Sequence, residues 1–222
     1  MRDERSLSAL ELIARPQLWA SRDLPFMPFS DSAGDLALYM EQLLAWNRKF
    51  NLAAIRNEHE LLRDLIQDSF YLAQLIEEIC SRKGWKDPEI ADLGAGAGLP
   101  GIPLRLLWQR GNYTMVEARQ KRALFLANML ARLNLPDTQV FEGRAEDYLD
   151  RCDIWPQLIL SRAFMPWEQL LTFCGKRLSA DAEIIIMANE EPPVSFKEWK
   201  LMAGREYDTG EKKRWLWSIG RP

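Results

Sequence analysis

Histidine is almost missing from this chain: His59 is the only one in 222 residues. A multi-histidine metal site is thereby excluded, and no convincing Ser-His-Asp triad can be assembled. Set between Glu58 and Glu60 at an expected helix start, His59 reads as an exposed structural residue. Cysteine is nearly as scarce. Cys80, Cys152 and Cys174 are unclustered and odd in number, which argues against a disulfide framework and fits the reduced thiols of a cytoplasmic protein. No run approaches the roughly 20 apolar residues of a membrane span, and the charged start Met1-Arg2-Asp3-Glu4-Arg5 lacks the apolar core of a signal peptide. Internal repeats and low-complexity tracts are absent too. A net charge of −3 excludes a uniformly basic nucleic-acid binder, though not local basic patches.

Glycine, by contrast, is concentrated in one place. The run Ile90-Ala91-Asp92-Leu93-Gly94-Ala95-Gly96-Ala97-Gly98-Leu99-Pro100-Gly101-Ile102-Pro103-Leu104 reads as an apolar strand ending in an acid, a glycine-spaced loop, and a helix with proline in its first turns. Gly94, Gly96 and Gly98 can take positive φ and let a ligand lie against bare backbone. The helix behind them offers unpaired N–H groups, where a proline costs nothing. A carboxylate at the strand end suits a ligand with an ammonium group and repels a pyrophosphate. Asp92 therefore points to S-adenosylmethionine rather than a dinucleotide. Gly96-Ala97-Gly98-Leu99-Pro100-Gly101 does match the G-x-G-x-x-G dinucleotide fingerprint. The match is out of place, because Gly94 already follows the strand and Gly101 falls in the early helix. It leaves a nicotinamide-dependent oxidoreductase as a distant rival.

The second strand, Tyr113-Thr114-Met115-Val116-Glu117, also ends in an acid. Glu117 lies 19 residues beyond Gly98, near the spacing of about 20 expected for a ribose-binding acid. Its two oxygens can accept from both ribose hydroxyls. The plainer alternative is that Glu117 only caps the next helix.

Pro16, Pro25 and Pro28 break the first 30 residues into an expected helix and a loop. Residues 32–48 and 58–80 show apolar side chains at helical spacing and form a helical cap ahead of the first strand. From residue 88 strands are expected at 89–93, 113–117, 138–142, 157–161, 183–188, 204–208 and 214–219. Helices are expected at 101–110, 119–134, 166–178 and 196–202. The alternation implies an α/β fold, a mostly parallel sheet covered on both faces, with ligands at the carboxyl ends of its strands. Residues 1–87 would be an extension and cap, and 88–222 the cofactor-binding core of one structural unit.

Two further motifs belong to that edge. In Gly143-Arg144-Ala145-Glu146-Asp147, backbone N–H groups and a carboxylate can read an adenine edge. In Ser161-Arg162-Ala163-Phe164, the arginine and aromatic either hold a phosphate and a stacked base or form an ion pair and a core contact. Two stretches are locally basic. Residues 105–122 carry Arg105, Arg110, Arg119, Lys121 and Arg122 against Glu117 alone. Residues 46–63 carry Arg48, Lys49, Arg56 and Arg63 against Glu58 and Glu60. They are solvated faces or phosphate-binding patches.

These motifs together resemble the bacterial 16S ribosomal RNA guanine-N7 methyltransferases, the glucose-inhibited division protein B family. The resemblance runs from about Trp46 to Ile219 and is carried by W-N-R-K-F-N-L, R-D-L-I-Q-D-S, D-L-G-A-G-A-G-L-P-G-I-P-L, E-A-R-Q-K-R-A-L-F-L, G-R-A-E-D-Y and S-R-A-F. It implies a class I S-adenosylmethionine-dependent methyltransferase fold, seven strands with the last antiparallel. It also implies 16S ribosomal RNA or the small ribosomal subunit as partner. Gly94 and Leu99 would line the cofactor loop, Ala145 and Glu146 would flank the adenine, and Arg162 would lie in the cofactor and substrate site. Arg56, Arg63, Lys121, Arg122 and Phe164 are the candidates for RNA contact. The chain departs from the family pattern at Ala53, usually threonine, and Asp64, usually histidine. At Asn189-Glu190-Glu191 two acids stand where the family has a lysine. A divergent member with another substrate and a non-catalytic S-adenosylmethionine- or RNA-binding module are the alternatives these departures leave.

Overall fold

The computed structural model describes residues 7–15, 17, 31–209 and 212–222. Seven strands form one sheet: β1 (Glu89–Leu93), β2 (Asn112–Glu117), β3 (Thr138–Glu142), β4 (Leu158–Arg162), β5 (Glu183–Ala188), β6 (Lys200–Asp208) and β7 (Lys213–Gly220). Their order is β3-β2-β1-β4-β5-β7-β6, with only β7 running against the rest. The expected sheet is thus present. Its helices are α1 (Ala9–Ile13), α2 (Ala33–Phe50), α3 (Glu58–Leu61), α4 (Asp68–Lys83), α5 (Gly101–Leu107), α6 (Gln120–Leu130), α7 (Ala145–Arg151) and α8 (Trp167–Gly175).

Alternation along the strands feeds two cores. Ile90, Leu158, Leu160 and Ile185 point into one, shared with Leu36, Met40 and Leu43 of α2, Leu72 and Ile76 of α4, and Phe125 and Leu126 of α6. Ala91, Ile159, Ile184 and Ile186 point into the other, against Leu149 of α7 and Leu170, Leu171 and Cys174 of α8. The cap helices therefore share a continuous core with the sheet. Buried Glu183 adds a polar tie, accepting both terminal nitrogens of Arg82 on α4 at 2.9 and 3.0 Å.

Several expected elements come out differently. The helix expected at 58–80 is interrupted by a π-helical turn, Leu62–Ile66. The helices expected at 101–110, 119–134 and 166–178 stop at Leu107, Leu130 and Gly175. No helix forms at 196–202. Phe196 and Trp199 make an isolated bridge, and β6 begins at Lys200, pairing with β7 as far as Gly220. Seven residues are too few to hold a helix by themselves, and a neighbouring strand offers a full ladder instead. The stretch 143–147, expected only as an adenine contact, leads into α7, with Glu146 and Asp147 in its first turn, where the helix dipole favours acids. Of the first 30 residues, α1 is present with a Ser8–Glu11 capping box. The loop expected after it lies mostly outside the described residues.

The basic stretch 105–122 is also thinner than it reads. Arg105 is fully buried, and its terminal nitrogens donate to the backbone carbonyls of Trp108, Gln109, Arg110, Gly111 and Pro136. Arg110 pairs with Glu77 at 2.7 Å. Both are structural.

Candidate cofactor and substrate site

The parallel register brings Leu93, Val116, Glu117, Glu142, Ser161 and Arg162 to one sheet edge. The glycine loop hangs from it. Gly94 and Ala95 donate their N–H groups to the Val116 carbonyl at 2.9 and 3.1 Å. Gly94 has φ +74°, and a Cβ there would lie 2.8 Å from Phe164. At Gly96, φ +62°, a Cβ would meet nothing closer than 3.7 Å. The backbone is therefore bare on one side, as a ligand cradle requires. The nearest side-chain atom to that position is Arg122 Nη1, at 3.8 Å.

Glu117 is buried, and both oxygens are engaged: Oε2 accepts from Gly96 N–H and Oε1 from Arg119 N–H, each at 2.8 Å. It ties the loop to the entry of α6, so the plainer helix-entry role is real. Each oxygen keeps a second acceptor site for a ribose hydroxyl.

Asp92 lies under the loop rather than open to it. It is 1% exposed and accepts from the Tyr113 hydroxyl at 3.2 Å. Burial pushes its carboxyl up to about 7, against the opposing pull of Tyr113 and Arg162. Gly101 packs on this pair; a Cβ there would sit 2.9 Å from Asp92 Oδ2 and 3.0 Å from the Tyr113 hydroxyl. The last glycine of the dinucleotide-like string thus serves packing.

The cap reaches the loop twice. The Tyr39 hydroxyl donates to the Ala97 carbonyl at 2.9 Å, and Ser69 Oγ to the Pro100 carbonyl at 3.2 Å. Next to Ser69, fully buried Asp68 gathers three partners from distant strands: Arg162 at 3.2 Å, Arg214 at 2.8 Å and the Tyr207 hydroxyl at 3.0 Å. Burial raises the Asp68 carboxyl while both guanidiniums oppose the rise. Arg162 is therefore ion-paired, and Phe164 packs on Gly94 and on Phe173. Tyr39, Asp68 and Arg214 were missed in the sequence. An acid amid Leu65, Ile66, Phe70 and Leu72 was the available signal for Asp68.

Ala145 is buried at the first position of α7 and Glu146 is exposed beside it. Leu99 is buried. Gly98, φ +79°, turns the loop into α5 against Ile102. Arg56 and Arg63 are not brought to this edge. With Leu7, Leu12 and His59 they line a separate cavity of about 400 Å³ between α1 and α3, and Arg63 pairs with Asp64 at 2.7 Å. Lys121 is exposed over Phe50. The W-N-R-K-F-N-L motif has a local explanation: Asn51 ends α2 at φ +48°, and Asn47 accepts from Ala53 N–H at 2.9 Å and donates to the Ile55 carbonyl at 3.2 Å. Asn189, Glu190 and Glu191 are exposed after β5. Among the described residues no acid, histidine and cysteine group is arranged to hold a metal, and no helix is long and apolar enough to cross a membrane.

Residues 33–200 match the model of the family GidB, rRNA small subunit methyltransferase G. The chain belongs to the GidB family. Similar GidB-type relatives carry the name ribosomal RNA small subunit methyltransferase G. That of Nitratidesulfovibrio vulgaris is 43% identical over 89% of both chains. That of Lawsonia intracellularis is 39% identical over 80% of this chain and 82% of its own. The sheet is shared more widely. A putative O-methyltransferase from Klebsiella pneumoniae matches with TM-score 0.58 at 14% identity, covering 83% of this chain and 90% of its own. MtNAS in complex with MTA and tNA matches with TM-score 0.56 at 16% identity, covering 86% and 72%. At that identity the likeness is one of fold.

Proposed function

We propose that this GidB-family chain transfers a methyl group from S-adenosylmethionine to N7 of a guanine in 16S ribosomal RNA, on the small subunit or its RNA. The observation that carries the reading is an intact cradle in a chain 43% identical to an rRNA small subunit methyltransferase G. The loop is bare at Gly96, Glu117 holds it at 2.8 Å, and Phe164 closes on Gly94. When bound, S-adenosylmethionine supplies an electrophilic methyl on a sulfonium. Glu117 accepts from its ribose, while Gly94, Gly98 and Leu99 shape the wall. Ala145 and Glu146 border the adenine, and the Asp92 charge beneath the loop favours a cationic ligand. Arg162, held by Asp68, would serve the shared cofactor and substrate space, with Phe164 packed on Gly94 and Arg122 near Gly96.

Guanine N7 has a lone pair and no proton, so the chain need supply no general base. Alignment is its contribution, and good orientation is worth roughly 7–11 kcal/mol. The helical cap and the sheet act as one unit in this reading, and nothing in the chemistry asks for a membrane or a metal.

The test is labelled-methyl transfer to small subunits lacking the modification, followed by digestion to nucleosides. Label in 7-methylguanosine is expected. S-adenosylmethionine binding without label in any guanine would overturn the substrate assignment. It would favour a divergent substrate, which the exposed acids Glu190 and Glu191 after β5 would suit.

A further inference from the structure

Two stretches of this acidic chain contain no acid at all. Residues 42–57 and 118–136 hold seven of the 29 Lys and Arg and none of the 32 Asp and Glu. The fold packs them together. Trp46 of α2 meets Phe125 of α6 edge-on at 5.4 Å, and Lys121 Nζ lies 5.2 Å from the centre of the Phe50 ring. On the resulting face Phe50 is 40% exposed and Leu124 58% exposed. Arg48 and Lys49 immediately precede Phe50 at the end of α2, and Arg119 caps α6 ahead of Lys121; all four are exposed, and among the described residues none has a carboxylate partner. The face begins where the cradle ends, because Arg119 N–H is bound to Glu117 and Arg122 reaches the Gly96 position.

We infer that this face docks a single-stranded RNA segment flanking the target nucleotide, with Phe50 stacking one base and Arg48, Lys49, Arg119 and Lys121 taking the adjacent phosphates. The naming of RNA rests on the function proposed above; the face itself rests on charge and geometry. Exposed cations without carboxylate partners suit the phosphates of a polyanion, and the exposed ring among them suits one that also carries bases. An exposed ring under an ammonium is a platform that any base can use. A net charge of −3 is compatible with such a face, because its four exposed cations lie in stretches that contain no acid: the charge is segregated, not absent.

The test is fluorescence anisotropy of the full chain with a mixed-sequence single-stranded RNA of about 12 nucleotides, within the usual site size of such surfaces. Phe50→Ala should weaken binding by about five-fold or more, and Phe50→Trp should retain it. The double variant K49Q/K121Q should lower the slope of log affinity on log salt by about 1.4, roughly 0.7 for each lost phosphate contact. The inference is overturned if the wild type does not bind, or if F50A and K49Q/K121Q both bind within two-fold of it with an unchanged slope. It is overturned as well if Phe50 instead mediates a dimer in sedimentation. Because no methyl moves in this assay, RNA binding through Phe50 without guanine labelling would support the face while refuting the methylation reading.

Discussion

The two halves of the sheet edge balance their buried charge in opposite ways. At β1 and β2, Asp92 and Glu117 are held by a phenol and by backbone N–H groups, and neither has a cation within ion-pair distance among the described residues. At β4 and β7, one carboxylate, Asp68, is shared by two arginines. The first half is short of positive charge and the second has a surplus. In the function proposed above, a cationic cofactor would complete the first half and an anionic substrate the second.

The largest effect is expected from Asp68→Asn. It leaves Arg162 and Arg214 facing each other with little solvent, and should cost about 3–5 kcal/mol in chemical denaturation. D68N/R214M should recover part of that loss; no recovery would mean Asp68 acts through something other than the arginine pair. Next in size is Asp92→Asn. The carboxyl is raised from 3.8 to about 7. Its neutral form is thus the stable one when folded, an advantage complete below pH ~4 and lost as pH rises through ~7. D92N should therefore match the wild type in acid and exceed it by a few kcal/mol above pH ~8. Cofactor affinity should move the other way, rising with pH through ~7 in the wild type and staying flat and weak in D92N. Parallel pH profiles for the two proteins would remove Asp92 from the cofactor's electrostatics. Glu117→Ala should weaken S-adenosylmethionine binding about ten-fold or more in calorimetry, a charge-assisted hydrogen bond being worth ~1.5–3 kcal/mol. Unchanged affinity would reduce Glu117 to a tie for the loop. At the small end, Lys213→Ala removes an exposed partner of Glu206 and should leave the melting temperature unmoved.

The first half was legible in the sequence because its parts are close together there. Asp92, the glycines and Glu117 are separated by one loop and one βα unit, and each carries a local signature. The second half was not. Asp68 and Arg214 meet across 146 positions, and neither announces its partner. Arg162 was seen, but which of its two readings holds depends on Asp68, so the motif alone left the choice open. The same locality explains the misplaced helix at 196–202, where β7 decides the conformation, and the basic stretch at 105–122, where Arg105 and Arg110 turn inward to carbonyls and Glu77. The helix ends moved for a smaller reason: the last turns of α5 and α6 have no periodic signal to distinguish them from the loops that follow.

Two hydrogen bonds, Tyr39 to the Ala97 carbonyl and Ser69 to the Pro100 carbonyl, join the cap to the glycine loop. Their consequence is thermodynamic reciprocity. Any ligand that steadies the loop must also draw α2 and α4 down, and any loosening of those helices must be repaid in affinity by the same free energy. Substitutions in the buried face of the cap that loosen these two helices should therefore also lower the affinity of a ligand held by the loop.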